Sequence, residues 1–307
     1  MTNFITMNKI GMKGRLGNQL YQIFCLVYLS KKYNINIKLP KNNKDFDIYN
    51  TFKIRFEELN SNDFLTYKEI DYYNLNLVEN FVKNNLNHNI NLYGWFQEIK
   101  EPKLLDNLFI FNDDINKYCS NYINKLNENK KYKITAIHIR LGDYLNKKFN
   151  DIYNNLLHWK NYLLKYKFII KNIKKKYSNS KFLIISDDIN KCKELLKNID
   201  DLIYINLNPK FKHQDLCIMS KCNNFILSNS TYGIWGVYLC ENNNCDIYIP
   251  NNYFVNQCKF IRYNNIYLDN ITTTFTHKKY NCFIINTNKE INNSNNLNDF
   301  IINKNID

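Results

Sequence analysis

The second half of the chain repeats one pattern: a short apolar segment, a polar turn, and a stretch with apolar residues at helical spacing. The apolar segments occupy residues 134–139, 182–185, 203–205, 225–227 and 246–249. Continuous apolar strands that alternate with helices are typical of a parallel sheet covered on both faces. We therefore predict an α/β fold for this half. Ligands of such sheets bind beyond the carboxyl ends of the strands.

The first half opens with a unit of the same kind. Residues 4–10 predict a strand, residues 18–32 a helix with its apolar residues at helical spacing, and residues 35–39 a second strand. The loop at 11–17 has the spacing G-x-x-G-x-x-G, which is neither the dinucleotide fingerprint nor a Walker A loop. This opening is typical of a Rossmann-like half. Residues 41–130 are rich in Asn and carry a weaker pattern, with helices expected near 113–128.

The length of 307 residues fits two domains of about 100–200 residues each. We divide the chain into an N-terminal domain at 1–130, a C-terminal domain at 131–285, and an Asn-rich tail at 286–307.

The net charge of +14 is compatible with a nucleic acid, an anionic lipid or a phosphorylated ligand. However, lysines are scattered throughout the chain, and the longest run, 174–176, falls on the expected wet face of a helix. Without a basic stripe or an RNA-binding motif, we expect no nucleic acid partner.

The nine cysteines form no CxxC pair, and the five histidines are too dispersed to complete a metal site. We therefore expect no bound metal and no cofactor. The N-terminus lacks the features of a signal peptide, and no stretch has the ~20 apolar residues of a membrane span. The sequence predicts a cytoplasmic protein with reduced thiols and no integral membrane segment.

Only seven glycines are present, and they fall into four clusters. A chain that makes its turns with Asn should keep Gly where backbone must approach a ligand or another chain segment closely. The clusters are GMKGRLGNQ at 11–19, YGWFQ at 93–97, HIRLGDY at 138–144 and STYGIWG at 230–236. They mark four candidate sites.

Three polar motifs follow predicted strands and should converge at one edge of the sheet. Arg140 can make two charge-assisted bonds to a diphosphate, with Asp143 orienting it; a purely structural Arg–Asp pair is the alternative. The turn at 228–231 precedes a helix and suits an anion. In isolation ordinary helix capping by Asn229 or Ser230 would explain it, but its position in line with Arg140 favours anion binding. The carboxylates Asp187 and Asp188 are candidates for ligand contact, and Asp188 is also a candidate helix cap. Their spacing is not the D-x-D of metal-dependent sugar transferases.

Two motifs of the first half suit an anionic or polyhydroxyl ligand. The loop at 14–19 offers backbone N–H groups with the side chains of Arg15, Asn18 and Gln19. The segment 93–97 offers aromatic rings and an amide for sugar stacking. Packing between domains is the alternative for both.

Together these motifs resemble the α-1,2-fucosyltransferase family, glycosyltransferase family 11. Its G-x-x-G-N-Q looks like residues 14–19, its G-Y-F-Q like 94–97, its H-x-R-R-G-D-Y like 138–144, and its S-D-D like 186–188. Its D-L-x-x-M-S-x-C and S-N-S-T-F-S-W-W-G look like 215–222 and 228–236. The order and spacing hold over residues 11–255.

The resemblance implies a GT-B-like fold of two Rossmann-like domains facing a cleft, with an acceptor-side N-terminal domain and a donor-binding C-terminal domain. It implies an inverting, metal-independent transfer of L-fucose from GDP-fucose to an acceptor glycan, α-1,2 to galactose or a similar sugar. The residues it implicates in catalysis are Arg140, Asp143 and Asn18. Those implicated in donor binding are Gly14, Arg15, Gly17, Gln19, His138, Asp187, Asp188, Ser228, Asn229, Ser230 and Thr231, and those on the acceptor side are Trp95, Gln97 and Glu98.

Within this resemblance, Arg140 would hold the β-phosphate, His138 and one of the two aspartates the nucleoside, and Ser230 and Thr231 a phosphate. The general base is Asp143 in our first hypothesis and Glu98 in the second; an oxocarbenium-like path with little base assistance is a third.

Two departures from the family pattern affect the expected specificity. Leu141 replaces the second Arg of H-x-R-R and removes one positive charge, and Gly233-Ile234 replaces Ser-Trp. Transfer of another GDP-deoxyhexose, or GDP-sugar binding without catalysis, are therefore the alternative functions. The sequence does not define the oligomeric state.

Overall fold

The computed structural model describes residues 3–41, 46, 48–70, 74–128, 130–145, 155–251, 268–269, 280–285 and 301–304; for 155–164 and 301–304 it describes the backbone alone. The chain divides into two units, Met1–Asn112 and Asp113–Asp307. No helix in the described ranges combines the length and the apolar character that a bilayer crossing requires.

The first unit is built on a parallel sheet of five strands in the order β3-β2-β1-β5-β4. Its strands are β1 Phe4–Thr6, β2 Asn36–Leu39, β3 Glu57–Glu58, β4 Leu65–Lys68 and β5 Ile90–Tyr93. Its helices are α1 Leu16–Tyr33, α2 Ile48–Thr51 and α3 Leu75–Asn84, with a 3₁₀ turn at Pro102–Leu105. The predicted strand, loop, helix and strand at the start are confirmed, although β1 is shorter than expected.

The length of α1 follows from its sequence. Leu20, Phe24 and Val27 are buried at helical spacing. The helix ends where Asn34 adopts the left-handed conformation (φ 50°), which Asn tolerates better than most residues. Its backbone N–H donates to the carbonyl of Ser30, so the chain can turn into β2.

The second unit carries a sheet in the order β12-β11-β10-β9-β6-β7-β8, parallel throughout except for the β11–β12 pair. Its strands are β6 Lys133–Ile139, β7 Ser180–Ser186, β8 Leu202–Tyr204, β9 Asn224–Leu227, β10 Asp246–Pro250, β11 Asn281–Ile285 and β12 Ile301–Lys304. Its helices are α4 Asp113–Asn127, α5 Asn155–Lys176, α6 Ile189–Leu195, α7 Gln214–Ser220 and α8 Thr231–Tyr238, with a 3₁₀ turn at Gly142–Leu145. The predicted α/β class with a parallel C-terminal sheet is confirmed.

Two details of the chain organisation differ from the sequence-based division. The units separate after Asn112 rather than at 130, because α4 packs on α7 and on the segment before it. The Tyr118 and Phe211 rings lie 5.4 Å apart, and the Cys119 thiol contacts the Gln214 carbonyl at 3.4 Å. Within the expected tail at 286–307, β12 pairs antiparallel with β11. The other residues of that tail lie outside the described ranges.

The core of the second unit lies between the sheet and α5. Buried strand residues pack against the apolar face of that helix. The strands contribute Ile137, Ile139, Phe182 and Ile184, and the helix contributes Tyr166, Ile169 and Ile173. Each such side chain contributes about 1.5–3 kcal/mol through burial. The expected helix side chains at 159, 162 and 163 lie outside the described side chains.

An ion-pair cluster around the buried Glu79 of α3 stabilises the first unit. Its carboxylate accepts hydrogen bonds from Lys32 Nζ at 2.6 Å, Lys100 Nζ at 2.6 Å and the Tyr28 hydroxyl at 2.7 Å. Burial by itself would raise the pKa of Glu79, but these three donors outweigh it and lower the pKa to about 2. Burial and the bond to Glu79 raise the pKa of Tyr28 to about 12.

We expect Glu79→Gln to remove a pH-dependent stabilisation. The folded-state pKa lies below the ordinary 4.5, so the carboxylate stabilises the fold above that value and loses its effect as the pH falls towards about 2. At pH 7 the free energy of unfolding should drop by about 3 kcal/mol in the variant. Urea denaturation of both proteins between neutral and acid pH measures this difference. A difference that stays constant down to the acid end would contradict the assignment.

Candidate functional site

The three polar motifs of the second unit lie at the carboxyl ends of neighbouring strands. β9, β6 and β7 are adjacent in the sheet, and they end at Leu227, Ile139 and Ser186. Arg140, Asp187 and Ser228 come immediately after these strand ends. Arg140 contacts both of the others: its guanidinium bonds to Asp187, and its backbone N–H donates to the Ser228 hydroxyl at 3.1 Å. The predicted convergence of the three motifs is confirmed.

Arg140 is held between two carboxylates. One terminal nitrogen of its guanidinium bonds to Asp187, and the other bonds to Asp143. The ring of Tyr144 lies 5.5 Å from the guanidinium carbon. The side chain keeps 15% of its surface exposed, so this cation remains accessible at the edge of the sheet.

Asp187 is held by a backbone donor as well as by Arg140. Its second oxygen accepts a hydrogen bond from the Leu141 N–H at 2.9 Å. Gly142 provides the room for this carboxylate, since a β-carbon at 142 would collide with Asp187. The neighbouring Asp188 has another role: it caps α6 by accepting from the Lys191 N–H at 2.9 Å. The capping alternative was therefore right for Asp188.

Ser228 connects the end of β9 to the end of β6, next to the ion pairs of Arg140. Its hydroxyl oxygen accepts from the Arg140 N–H at 3.1 Å and lies 3.2 Å from Nδ1 of His138, where the tautomer decides the donor. Its own N–H donates to the His138 carbonyl at 3.1 Å. Ser228 thereby fixes the backbone from which the Arg140 side chain projects.

His138 is a buried residue of β6 with 4% of its surface exposed. Burial first, and then the nearby charge of Arg140, lower its pKa to about 3, so the ring is neutral at physiological pH. A β-carbon at Gly233 would lie 2.7 Å from Nδ1, so this glycine leaves room for the ring. The structure places His138 below the strand ends; contact with a nucleoside stays a prediction.

The N-terminus of α8 faces the same edge of the sheet. Ser230 is its N-cap, with extended backbone and no side-chain hydrogen bond to the first turn, and Thr231 begins the helix. The preceding Asn229 is held by its carbonyl, which accepts from the Tyr144 hydroxyl at 3.1 Å. Backbone N–H groups and the helix dipole make such a terminus favourable for an anion.

Leu141 does not point into the site. Its side chain is fully buried in the core of the second unit, together with Ile139 and Tyr166. The Leu in place of the second Arg of H-x-R-R therefore adds an apolar side chain to the core of this chain. The Arg140 guanidinium stays at the edge of the sheet.

The predicted residues of the first unit form a second group. Gln97 donates through Nε2 to Asn18 Oδ1 at 2.7 Å. Gly14 has positive φ (86°), and a β-carbon there would collide with the Asn18 side chain. Arg15 is the N-cap of α1 without a capping side-chain bond, whereas Gly17 and Gln19 are buried within that helix. Their contact with a donor remains a prediction.

The aromatic segment after β5 has a defined neighbourhood as well. The ammonium group of Lys13 lies 4.4 Å from the centre of the Trp95 ring and 4.7 Å from that of Tyr93. Glu98 accepts from the Leu75 N–H at 2.7 Å, at the start of α3. Burial raises the pKa of Glu98. One oxygen of this second candidate base is thus engaged in holding a helix.

Sequence reasoning missed Glu69, whose carboxylate accepts hydrogen bonds from the Trp95 and Phe96 N–H groups. The scarce glycine at 94 was a signal of close approach, but it does not name the partner. Among the described residues, no three His, Cys, Asp or Glu side chains are grouped as metal ligands would be. Metal independence stays a prediction.

The fold has known counterparts. Two structures of the fucosyltransferase NodZ, one described as from Bradyrhizobium and one as the α-1,6-fucosyltransferase co-crystallized with GDP, match with TM-scores of 0.54 and 0.53 at 9% identity. Each match covers 77% of this chain and 92% of the other. At this identity the likeness shows the fold, which is the predicted GT-B class.

The chain belongs to glycosyl transferase family 11, whose model matches residues 1–273. The O-antigen biosynthesis glycosyltransferase WbnK of Escherichia coli is 27% identical over 158 residues, 48% of this chain and 51% of the relative. Galactoside 2-alpha-L-fucosyltransferase Sec1 of Mus musculus is 24% identical over 242 residues, which are 75% of this chain and 63% of the relative. An alpha-1,2-colitosyltransferase of Escherichia coli is 30% identical over 108 residues, which are 34% of this chain and 35% of the relative. The chain thus spans about half of the first relative and under two thirds of the second.

Proposed function

We propose that this protein transfers L-fucose from GDP-fucose to a hydroxyl of an acceptor glycan, with inversion, without a metal, and with α-1,2 linkage to galactose or a similar sugar. The observation that carries this proposal is the Arg140 guanidinium, accessible at the carboxyl edge of the sheet where the start of α8 also lies. Both features suit a diphosphate. Membership in glycosyl transferase family 11 and the similarity to the mouse galactoside 2-alpha-L-fucosyltransferase support the sugar and the linkage.

In this proposal the protein stabilises the leaving nucleoside diphosphate. Arg140 would pair with the phosphate oxygens on which charge develops, and the N–H groups at the start of α8 would bind the same group. Both donors are fixed before the reaction, and fixed donors aimed at developing charge typically give the largest catalytic contribution.

Asp143 is the carboxylate that a diphosphate would displace from Arg140. Its side chain is 35% exposed against 23% for Asp187, which the Leu141 N–H also holds. The exchange would release Asp143 to accept a proton from the acceptor hydroxyl, so binding of the donor and activation of the acceptor would be linked. Asn18, Gln97 and Trp95 would contact the sugars.

The second candidate is transfer of another deoxyhexose from GDP. The relation to an alpha-1,2-colitosyltransferase favours it. The replacement of Ser-Trp by Gly233-Ile234 also favours it, because Gly233 lies against the His138 ring and the change alters packing near the site. The α-1,2 linkage would be common to both candidates.

Thermal unfolding with added nucleotides tests the donor class. A ligand at one hundred times its dissociation constant adds ~2.7 kcal/mol, which raises the melting temperature by roughly 2–4 °C per kcal/mol in a domain of this size. We expect GDP and GDP-fucose to stabilise the protein with no metal added, and UDP and dTDP to leave it unchanged. Stabilisation by UDP or dTDP, or by none of the four, would contradict the proposal. Transfer to galactose-terminated acceptors, compared between GDP-fucose and GDP-colitose, then separates the two candidates.

A further inference from the structure

The segment after β5 is held by a carboxylate from the neighbouring strand. Glu69 directly follows β4, and its oxygens accept from the Trp95 N–H at 2.6 Å and the Phe96 N–H at 3.0 Å. Its own N–H donates to the Tyr93 carbonyl at 2.9 Å, which continues the β4–β5 pairing into the turn. One side chain thus satisfies two successive backbone donors that would otherwise lack a strand partner.

Gly94 is what makes this arrangement fit. A β-carbon at 94 would collide with the β-carbon of Glu69 and would lie 2.6 Å from one of its carboxylate oxygens. The Gly94 carbonyl accepts from Gln22 Nε2 of α1 at 2.7 Å, so the turn is held from two sides. This accounts for a glycine in a chain that has only seven.

The turn carries backbone strain that the carboxylate offsets. Phe96 has positive φ (51°), an uncommon conformation for a bulky residue, and its ring is buried. This conformation directs the next residue, Gln97, to its 2.7 Å bond with Asn18. Without the two hydrogen bonds that the Glu69 carboxylate accepts, we expect the strained turn to relax and Gln97 to leave Asn18.

We propose that Glu69 is a positioning residue for the transfer reaction, acting through the turn that fixes Gln97 and Trp95. This inference rests on the proposed function, in which those two side chains and Asn18 contact the sugars. Glu69 itself would touch neither substrate. A displacement of about 1 Å in such positioning groups can cost on the order of 100-fold in rate.

Glu69→Gln and Gly94→Ala test the proposal from the two sides of one contact. The amide at 69 replaces one acceptor oxygen by an NH₂ group that faces a backbone N–H, whereas the methyl group at 94 displaces an intact carboxylate. We expect both variants to lower kcat for fucosyl transfer at least about tenfold. The dissociation constant for GDP should stay within twofold of wild type, because the residues proposed to hold the diphosphate lie in the second unit. Glu58→Gln, an exposed carboxylate of the same unit paired with Lys41, serves as the matched control and should behave as wild type.

The hydrogen bonds from the Trp95 and Phe96 N–H groups to Glu69, here called the Glu69 clamp, can also be tested without turnover. The measurement is hydrogen exchange of the peptide that contains Trp95 and Phe96. We expect faster exchange at these two amides in Glu69→Gln than in wild type and Glu58→Gln. Unchanged exchange, transfer within twofold of wild type, or a parallel loss of GDP binding and transfer would each overturn the positioning role. If wild-type protein transfers no fucose while exchange responds as expected, the proposed function fails and the clamp itself stands.

Discussion

Arg140→Ala should lower fucosyl transfer by a factor of about 100 to 1000, with the fold intact. The guanidinium is the cation that bridges Asp143 and Asp187 at the carboxyl edge of the sheet. Its removal takes away the fixed positive charge proposed to stabilise the leaving diphosphate. It also leaves two carboxylates facing the position of that diphosphate. We expect turnover with GDP-fucose to fall accordingly and the stabilisation by GDP to disappear.

Arg140→Lys is the sharper variant of the same test. It keeps the charge but replaces the planar fork by a single ammonium group, which cannot pair with two partners in the same geometry. We expect it to recover only a small part of the activity. Arg55→Ala is the control: Arg55 lies in the first unit and donates to the carbonyls of Phe52 and Ile54. Retention of more than a tenth of wild-type turnover in Arg140→Ala would exclude the role assigned to Arg140.

Lys176→Ala should destabilise the second unit by about 2–3 kcal/mol, although it lies away from the strand ends that carry the site. Lys176 Nζ bonds to both oxygens of Asp246, at 2.9 and 2.7 Å, and this carboxylate is fully buried at the start of β10. Tyr177 and Asn281 donate to the same carboxylate at 3.1 and 2.9 Å. Removing the ammonium group leaves a buried negative charge with two neutral donors. The cost stays below that of a fully dry ion pair because Lys176 itself is half exposed, which admits water.

Lys174→Ala is the matched control on the same helix. Lys174 pairs with Asp201 at 2.8 Å, nearly the same distance, but that carboxylate is 75% exposed. Exposed pairs contribute under about 1 kcal/mol. Thermal unfolding should therefore show a decrease of roughly 5–10 °C for Lys176→Ala and little change for Lys174→Ala. Equal effects would contradict the importance of the buried carboxylate. The double variant Lys176→Met with Asp246→Asn should regain part of the loss, because it removes the uncompensated charge.

Much of the second unit was predictable because its signals are local. An apolar run without alternation specifies a strand buried on both faces, and spacing near 3.6 residues specifies the covering helices. Polar residues at the end of such a run must lie at the carboxyl edge of a parallel sheet. This reasoning located Arg140, Asp187 and Ser228 before their contacts were known. The scarcity of glycine marked 94, 142 and 233 as places of close approach, and at each the structure shows a side chain in the space that a β-carbon would take.

The sequence by itself thus determined the fold class, the strand ends that carry the site, and the family to which the chain belongs. Only the tertiary structure decided which groups meet. It sends Leu141 into the core, gives Asp187 to Arg140, places α4 with the second unit, and brings Glu69 to the amides of a turn 26 residues away. The physical reason is the range of the forces involved. Periodicity and capping depend on neighbours along the chain, whereas the partner of a carboxylate depends on which strands pack side by side.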